Sequence, residues 1–196
     1  LIKKVLFLSA QILSGKIFAS EFKEEAKKQV LALKEQYNIT PGLAVIIVGE
    51  NPASKVYVNN KHRTCEEVGI YSEVISMPAD TTKEQLIAKI DYRQEIHGIL
   101  VQLPLPDAIA KEEADILNAI CPLKDVDGFH PVNVGKLMIG QDDGMIPCTP
   151  YGCLKMLQSA KINIDGAHAV IVGRSNIVGK PMGQLLLAQN ATVTIC

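Results

Sequence analysis

Residues 43–61 read LAVIIVGENPASKVYVNNK, and this stretch sets the fold class. Its opening LAVIIVG is apolar up to a closing glycine and has the length of a strand. A strand that is apolar at every position is buried on both faces, as in a parallel sheet. The polar loop ENPAS then leads into a helix from about Ala53 to Val68, for which Ser54 is the simplest N-cap. Tyr57 and Lys61 stand four apart and share one helix face, which Thr64, Cys65 and Val68 continue.

The same alternation extends in both directions. Upstream, ASEFKEEAKKQVLALKEQY keeps Phe22, Ala26, Val30, Leu33 and Tyr37 at helical spacing, with Ser20 as N-cap and TPG as the stop. Downstream, YSEVISMP reads as a strand, TKEQLIAKID as a helix opened by a Thr81–Glu84 capping box, and GILVQLPLP as the next strand. Strands and helices in alternation predict an α/β fold with a parallel sheet covered on both faces. A helix, KEEADILNAI, precedes the segment from Cys121 to Pro150, which is rich in Gly, Pro and Asp and reads as a long irregular boundary. Beyond it come the helix YGCLKMLQSA, the strand HAVIVG, the helix PMGQLLLAQ and the strand ATVTIC. This divides the chain into residues 1–147 and a second α/β unit over 148–196. A strand, a helix and a strand do not complete an open parallel sheet, so the second unit is expected to continue past Cys196.

Bulk properties exclude several classes. The 196 residues are 47% hydrophobic and carry a net charge of −1, with no basic stripe for nucleic acid. The apolar opening LIKKVLFLS is far shorter than the ~20 residues of a membrane helix and reads as a terminal strand. Five cysteines lack Cys-x-x-Cys spacing, which argues against zinc and against a disulfide framework, and points to a reducing, cytoplasmic setting.

Two constellations carry chemistry. In VIVGRSNIVGKPMG a strand runs into Gly173, a loop carries Arg174 and Ser175, and a helix begins near Gly179. That is the layout of a dinucleotide-binding turn, although Ser175 and Val178 occupy the second and third glycine slots. As a bare pattern it serves equally as an ordinary strand-to-helix connection. Arg174 beside the turn favours NADP over NAD, because a guanidinium matches a 2′-phosphate; a solvated loop arginine is the plain alternative. In the first unit, Tyr57 and Lys61 follow the end of a strand, where open α/β sheets bind ligands, so the amine is a candidate proton donor or acceptor. Packing by Tyr57 and snorkelling by Lys61 is the structural alternative. Gln102 ends an apolar run and needs a polar partner, and Asp127 sits in an Asp-Gly turn that it could simply be making. The four histidines are assigned to no site.

Together, NPASKVYVNNK, GILVQLPLP, PLKDVDGFHPVNVGKL, IPCTPYG and VIVGRSNIVGKPMGQLLL closely resemble, in order and spacing, the bifunctional methylenetetrahydrofolate dehydrogenase/methenyltetrahydrofolate cyclohydrolase family, from about Gln11 to Cys196. The resemblance implies a folate-binding catalytic domain followed by a Rossmann-like cofactor domain, with a cleft between them. It implies a homodimer acting in one-carbon metabolism and purine biosynthesis, with tetrahydrofolate derivatives as substrates and NADP as cofactor. By the same resemblance Lys61 is the general acid/base of the hydrolytic step, Tyr57 packs on the folate, Gln102 hydrogen-bonds Lys61, and Asp127 anchors the pterin amino group. Gly173, Arg174, Ser175, Val178 and Gly179 form the cofactor turn. A monofunctional dehydrogenase of the same fold and a folate-binding fragment without turnover are the rival readings.

Overall fold

The computed structural model describes residues 12–90 and 93–196; the opening LIKKVLFLS lies outside them. Helix α1 spans Gly15–Tyr37 and is followed by strand β1, Gly42–Val48. Alanine, lysine and glutamate favour helix, and α1 accordingly begins earlier than expected, leaving Ser20 inside it instead of at its cap. It stops at Asn38, whose φ of 55° is left-handed and whose N–H returns to the carbonyl of Lys34.

Helix α2, Pro52–Val68, leads to strand β2, Tyr71–Met77; helix α3, Lys83–Ile87, leads to strand β3, Gly98–Val101. The three strands are parallel in the order β2-β1-β3. Central β1 is buried on both sides, which is why its sequence does not alternate. Ala44, Ile46 and Val48 pack into a core with Leu86 of α3, Ile99 and Val101 of β3, and Ile116 of helix α4 (Glu113–Asn118). Val45 and Ile47 face the other way, against Val58 of α2 and Leu100. The parallel sheet and its two-sided cover are therefore as expected for this unit.

Two further caps differ from expectation. Asn51, not Ser54, caps α2: its Oδ1 accepts the N–H of Ser54 at 3.0 Å, while Ser54 is buried within the helix. The capping box is Thr82–Gln85, one residue later than Thr81–Glu84. Thr81 is buried and closes the preceding turn by donating to the carbonyl of Pro78 at 2.6 Å. Both threonines have a suitable partner three residues on, and burial decides between them.

The stretch read as irregular contains helix α5, Pro131–Met138. Pro131 occupies its first position, where no N–H is needed, and His130 caps it by accepting the N–H of Val132 at 3.1 Å. The second unit comprises helix α6 (Cys148–Ser159), strand β4 (His168–Ile171), helix α7 (Gly179–Leu187) and strand β5 (Thr192–Ile195). β4 and β5 pair in parallel over a core of Leu154, Leu185, Leu186 and Ala191. Among the described residues no helix is long and apolar enough to cross a membrane.

Candidate active site

The face of α2 formed by Tyr57, Asn60, Lys61, Thr64 and Cys65 lines a pocket of about 570 Å3. Its positions repeat at intervals of three and four, so one side of the helix delivers all five. The pocket lies against one face of the first sheet, with Leu43 and Leu100 among its lining. This differs from a site standing wholly beyond the strand ends: β1 and β3 contribute an apolar surface, and only Gln102 comes from a strand's carboxyl end.

Gln102 continues β3, its N–H bonding the carbonyl of Ile46 at 2.8 Å, and alternation points its side chain to the Leu100 face. Its Oε1 accepts from Lys61 Nζ at 2.8 Å. Its Nε2 donates to the carbonyl of Leu103 at 2.7 Å, which fixes the amide with oxygen toward the lysine. The lysine is thus held by an oriented acceptor and does not snorkel into solvent. Tyr57, one turn before Lys61, leaves 60% of its surface exposed and does not serve as core.

Asp127 lines the same pocket from the loop between α4 and α5. Burial pushes its carboxyl up to about 6, while the charge of Lys61 pulls it down and that of Asp125 pushes it up. Cys148 is the next neighbour. Burial raises its thiol, Asp127 raises it further and Lys61 lowers it. Both groups feel the lysine, so a cation, a carboxyl of raised pKa and a protonated thiol share one apolar-walled cavity. Cys148 was not predicted as a pocket residue, since a single cysteine in a loop-like stretch carries no pattern.

On the second unit, β4 runs into Gly173 at φ 130°, a conformation that side chains disfavour. The start of α7 crosses the chain so closely that a Cβ on Gly179 would lie 1.9 Å from the carbonyl oxygen of Gly173. Ser175 Oγ accepts the N–H groups of Val178 and Gly179 at 3.1 and 3.4 Å, leaving its own proton free to donate outward. Arg174 is exposed beside it. A glycine cradle, an outward hydroxyl and an adjacent guanidinium at a helix N-terminus fit a phosphate group. The turn also reaches the first pocket, because Ile177 and Val178 line it together with Lys61 and Asp127. The structure thus brings Tyr57, Lys61, Asp127 and Val178 to one cavity, with Gln102 bonded to its lysine. Arg174 and Ser175 lie a few residues from it along the turn.

Residues 13–127 match the catalytic domain of tetrahydrofolate dehydrogenase/cyclohydrolase, and residues 147–196 match its NAD(P)-binding domain. This chain belongs to the tetrahydrofolate dehydrogenase/cyclohydrolase family. It is 54% identical to the bifunctional protein FolD of Halalkalibacterium halodurans over 96% of its own length and 67% of that relative's. Among solved members of the family, the bifunctional enzyme of Campylobacter jejuni superposes with a TM-score of 0.91 at 46% identity, covering 96% of this chain and 67% of the other. The dehydrogenase-cyclohydrolase of Trypanosoma brucei, complexed with NADP and an inhibitor, superposes at 0.89 with 33% identity, covering 95% and 64%. The chain therefore spans about two thirds of the length of these family members. The expected family and α/β class hold.

Proposed function

We propose that this chain oxidises 5,10-methylenetetrahydrofolate to 5,10-methenyltetrahydrofolate with NADP and hydrolyses the product to 10-formyltetrahydrofolate. The observation that carries this reading is the Lys61–Gln102 bond of 2.8 Å in a cavity shared with Asp127 and the Val178 corner of the cofactor turn.

Hydrolysis requires water to add to the cationic methenyl carbon and the ring to open at N5. One proton of the water ends on N5 and the other leaves to solvent. The Lys61 ammonium gives a proton to N5 as the ring opens and recovers one from the added water, while Gln102 holds its amine in place. Tyr57 lies along the folate, and Asp127 accepts from the amino-pterin edge. NADP, when bound, accepts the hydride; Arg174 and Ser175 hold its phosphate, and Gly173 and Gly179 let the backbone approach. For hydride transfer the residues of this cavity act by alignment and by excluding water.

Residues 1–147 are assigned to folate binding and catalysis and 148–196 to a Rossmann-like cofactor domain. A cytoplasmic homodimer that supplies formyl groups for purine biosynthesis completes the reading, and the unpaired state of all five cysteines suits a reducing compartment.

The decay of methenyl absorbance tests the proton role. Lys61→Met is expected to slow hydrolysis by about 100-fold or more, with a smaller effect on hydride transfer. Hydrolysis by the unaltered protein no faster than in buffer sinks the cyclohydrolase half. Equal loss of both activities reduces Lys61 to a binding residue.

A further inference from the structure

Asn133, on α5, does not line the pocket, yet it is 3% exposed and every kind of group on its side chain is engaged. Its Nδ2 donates to the carbonyl of Pro122 and to Asp125 Oδ2, both at 2.9 Å, and its Oδ1 accepts the N–H of Met145 at 3.2 Å. One amide thus ties together the beginning, the middle and the end of the segment between α4 and α6. Asp125, itself 2% exposed, also accepts the N–H of His130 at 2.9 Å and bridges to Ile99 of the central sheet. The clamp therefore rests on the sheet at one end and on α5 at the other.

What the clamp encloses is one wall of the pocket. Asp127 and Phe129 lie between its Asp125 and His130 contacts, and Pro147 and Cys148 come two and three residues after Met145. The two passes of chain are pressed together: a Cβ on Gly128 would come within 2.6 Å of the Met145 carbonyl oxygen. Lys61 stands on α2 and Gln102 just past β3, and neither shares a bond with the clamp.

We propose that Asn133 is a positioning residue for folate: it sets the wall bearing Asp127 at a fixed distance from Lys61 without touching substrate. The proposal rests on the assignment of this cavity to folate. Because the lysine's wall is anchored separately, losing the clamp weakens substrate placement and leaves proton transfer in bound substrate nearly intact.

The test compares the purified protein with its Asn133→Ala and Asn133→Asp variants. The first removes all three bonds, and the second keeps volume and an acceptor for Met145 while ending donation to Asp125. The expected result is a rise of about tenfold in KM for the folate with kcat within about threefold, for both variants. In parallel, the rate of alkylation of Cys148, which lines the pocket, is expected to rise when followed by peptide mass, while that of Cys153, equally exposed but outside the pocket lining, stays constant. This readout needs no turnover. If the unaltered protein lacks activity but Cys148 responds, the folate assignment fails and the clamp stands. If folded variants leave KM and Cys148 unchanged, or lose kcat and KM in equal measure, the proposal is overturned. Failure of both variants to fold also overturns it, because Asn133 is then a stability element alone.

Discussion

The runs LAVIIVG and HAVIVG look alike on paper but occupy different surroundings. In β1, Ala44, Val45, Ile46, Ile47 and Val48 are all at most 4% exposed, between helices on both faces. In and after β4, Val170 is 58% exposed and Val172 is 91% exposed. The first unit has built a closed two-sided core, and the groups around its site are correspondingly held: the Gln102 amide is oriented toward Lys61, and the Asp125 carboxylate behind the pocket wall accepts two hydrogen bonds. Among the described residues, the second unit packs one face around Leu154, Leu185 and Leu186, and Arg174 and Ser175 project from a turn. The lysine and its amide are set by two different elements of the closed core, whereas the phosphate-facing groups come from a single turn.

The contrast makes unequal demands on mutation. Ile46→Ala, in the doubly covered strand, is expected to destabilise by about 3–4 kcal/mol, whereas Val170→Ala in this 196-residue chain costs less than about 0.5 kcal/mol. Chemical denaturation measures both, and similar losses at the two positions would remove the distinction.

Asp127→Asn sharpens it next. The folded carboxyl titrates at about 6, above its ordinary 3.8, so the folded chain holds a proton that the unfolded chain releases. Its ionisation therefore costs nothing below the ordinary value, costs progressively more up to about pH 6, and is at its full cost above that. The variant is expected to be more stable than the unaltered protein by on the order of 2 kcal/mol at neutral pH, with no difference in acid. Its affinity for folate falls at the same time. In the unaltered protein, kcat/KM for the folate declines as pH drops through about 6, where the carboxylate is lost. A stability gap that does not depend on pH would contradict this account.

The smallest effect belongs to the exposed turn. Arg174→Ala is expected to raise KM for NADP by about tenfold, to leave that for NAD nearly constant, and to leave hydrolysis of methenyltetrahydrofolate unaffected. Steady-state kinetics with each cofactor check it.

Much of this arrangement was readable in advance where local rules operate. The unbroken apolar run at Leu43 gave a doubly buried parallel strand, and the four-residue spacing put Tyr57 and Lys61 on one face. Where two local solutions compete, the reading slipped. Thr81 and Thr82 both have a capping partner, and only burial of Thr81 settled the register. The Gly-, Pro- and Asp-rich composition of residues 121–150 suggested a loop, yet Pro131 stands at the first helical position, where proline is favoured, and α5 went unseen. With α5 unseen, Asn133 had no reason to stand out, and Cys148 was a lone cysteine in a boundary.

By itself, the sequence determined every strand and most helices, α5 excepted, which side chains of α2 share a face, and which family the chain belongs to. These follow from backbone periodicity and from the order of motifs, both local or linear properties. Tertiary structure alone decided how Gln102 turns its oxygen to Lys61, that Asp127 is buried enough to titrate near 6, and that one buried amide clasps residues 122, 125 and 145. Those depend on distances between residues far apart along the chain and on the removal of water between them, and periodicity carries neither.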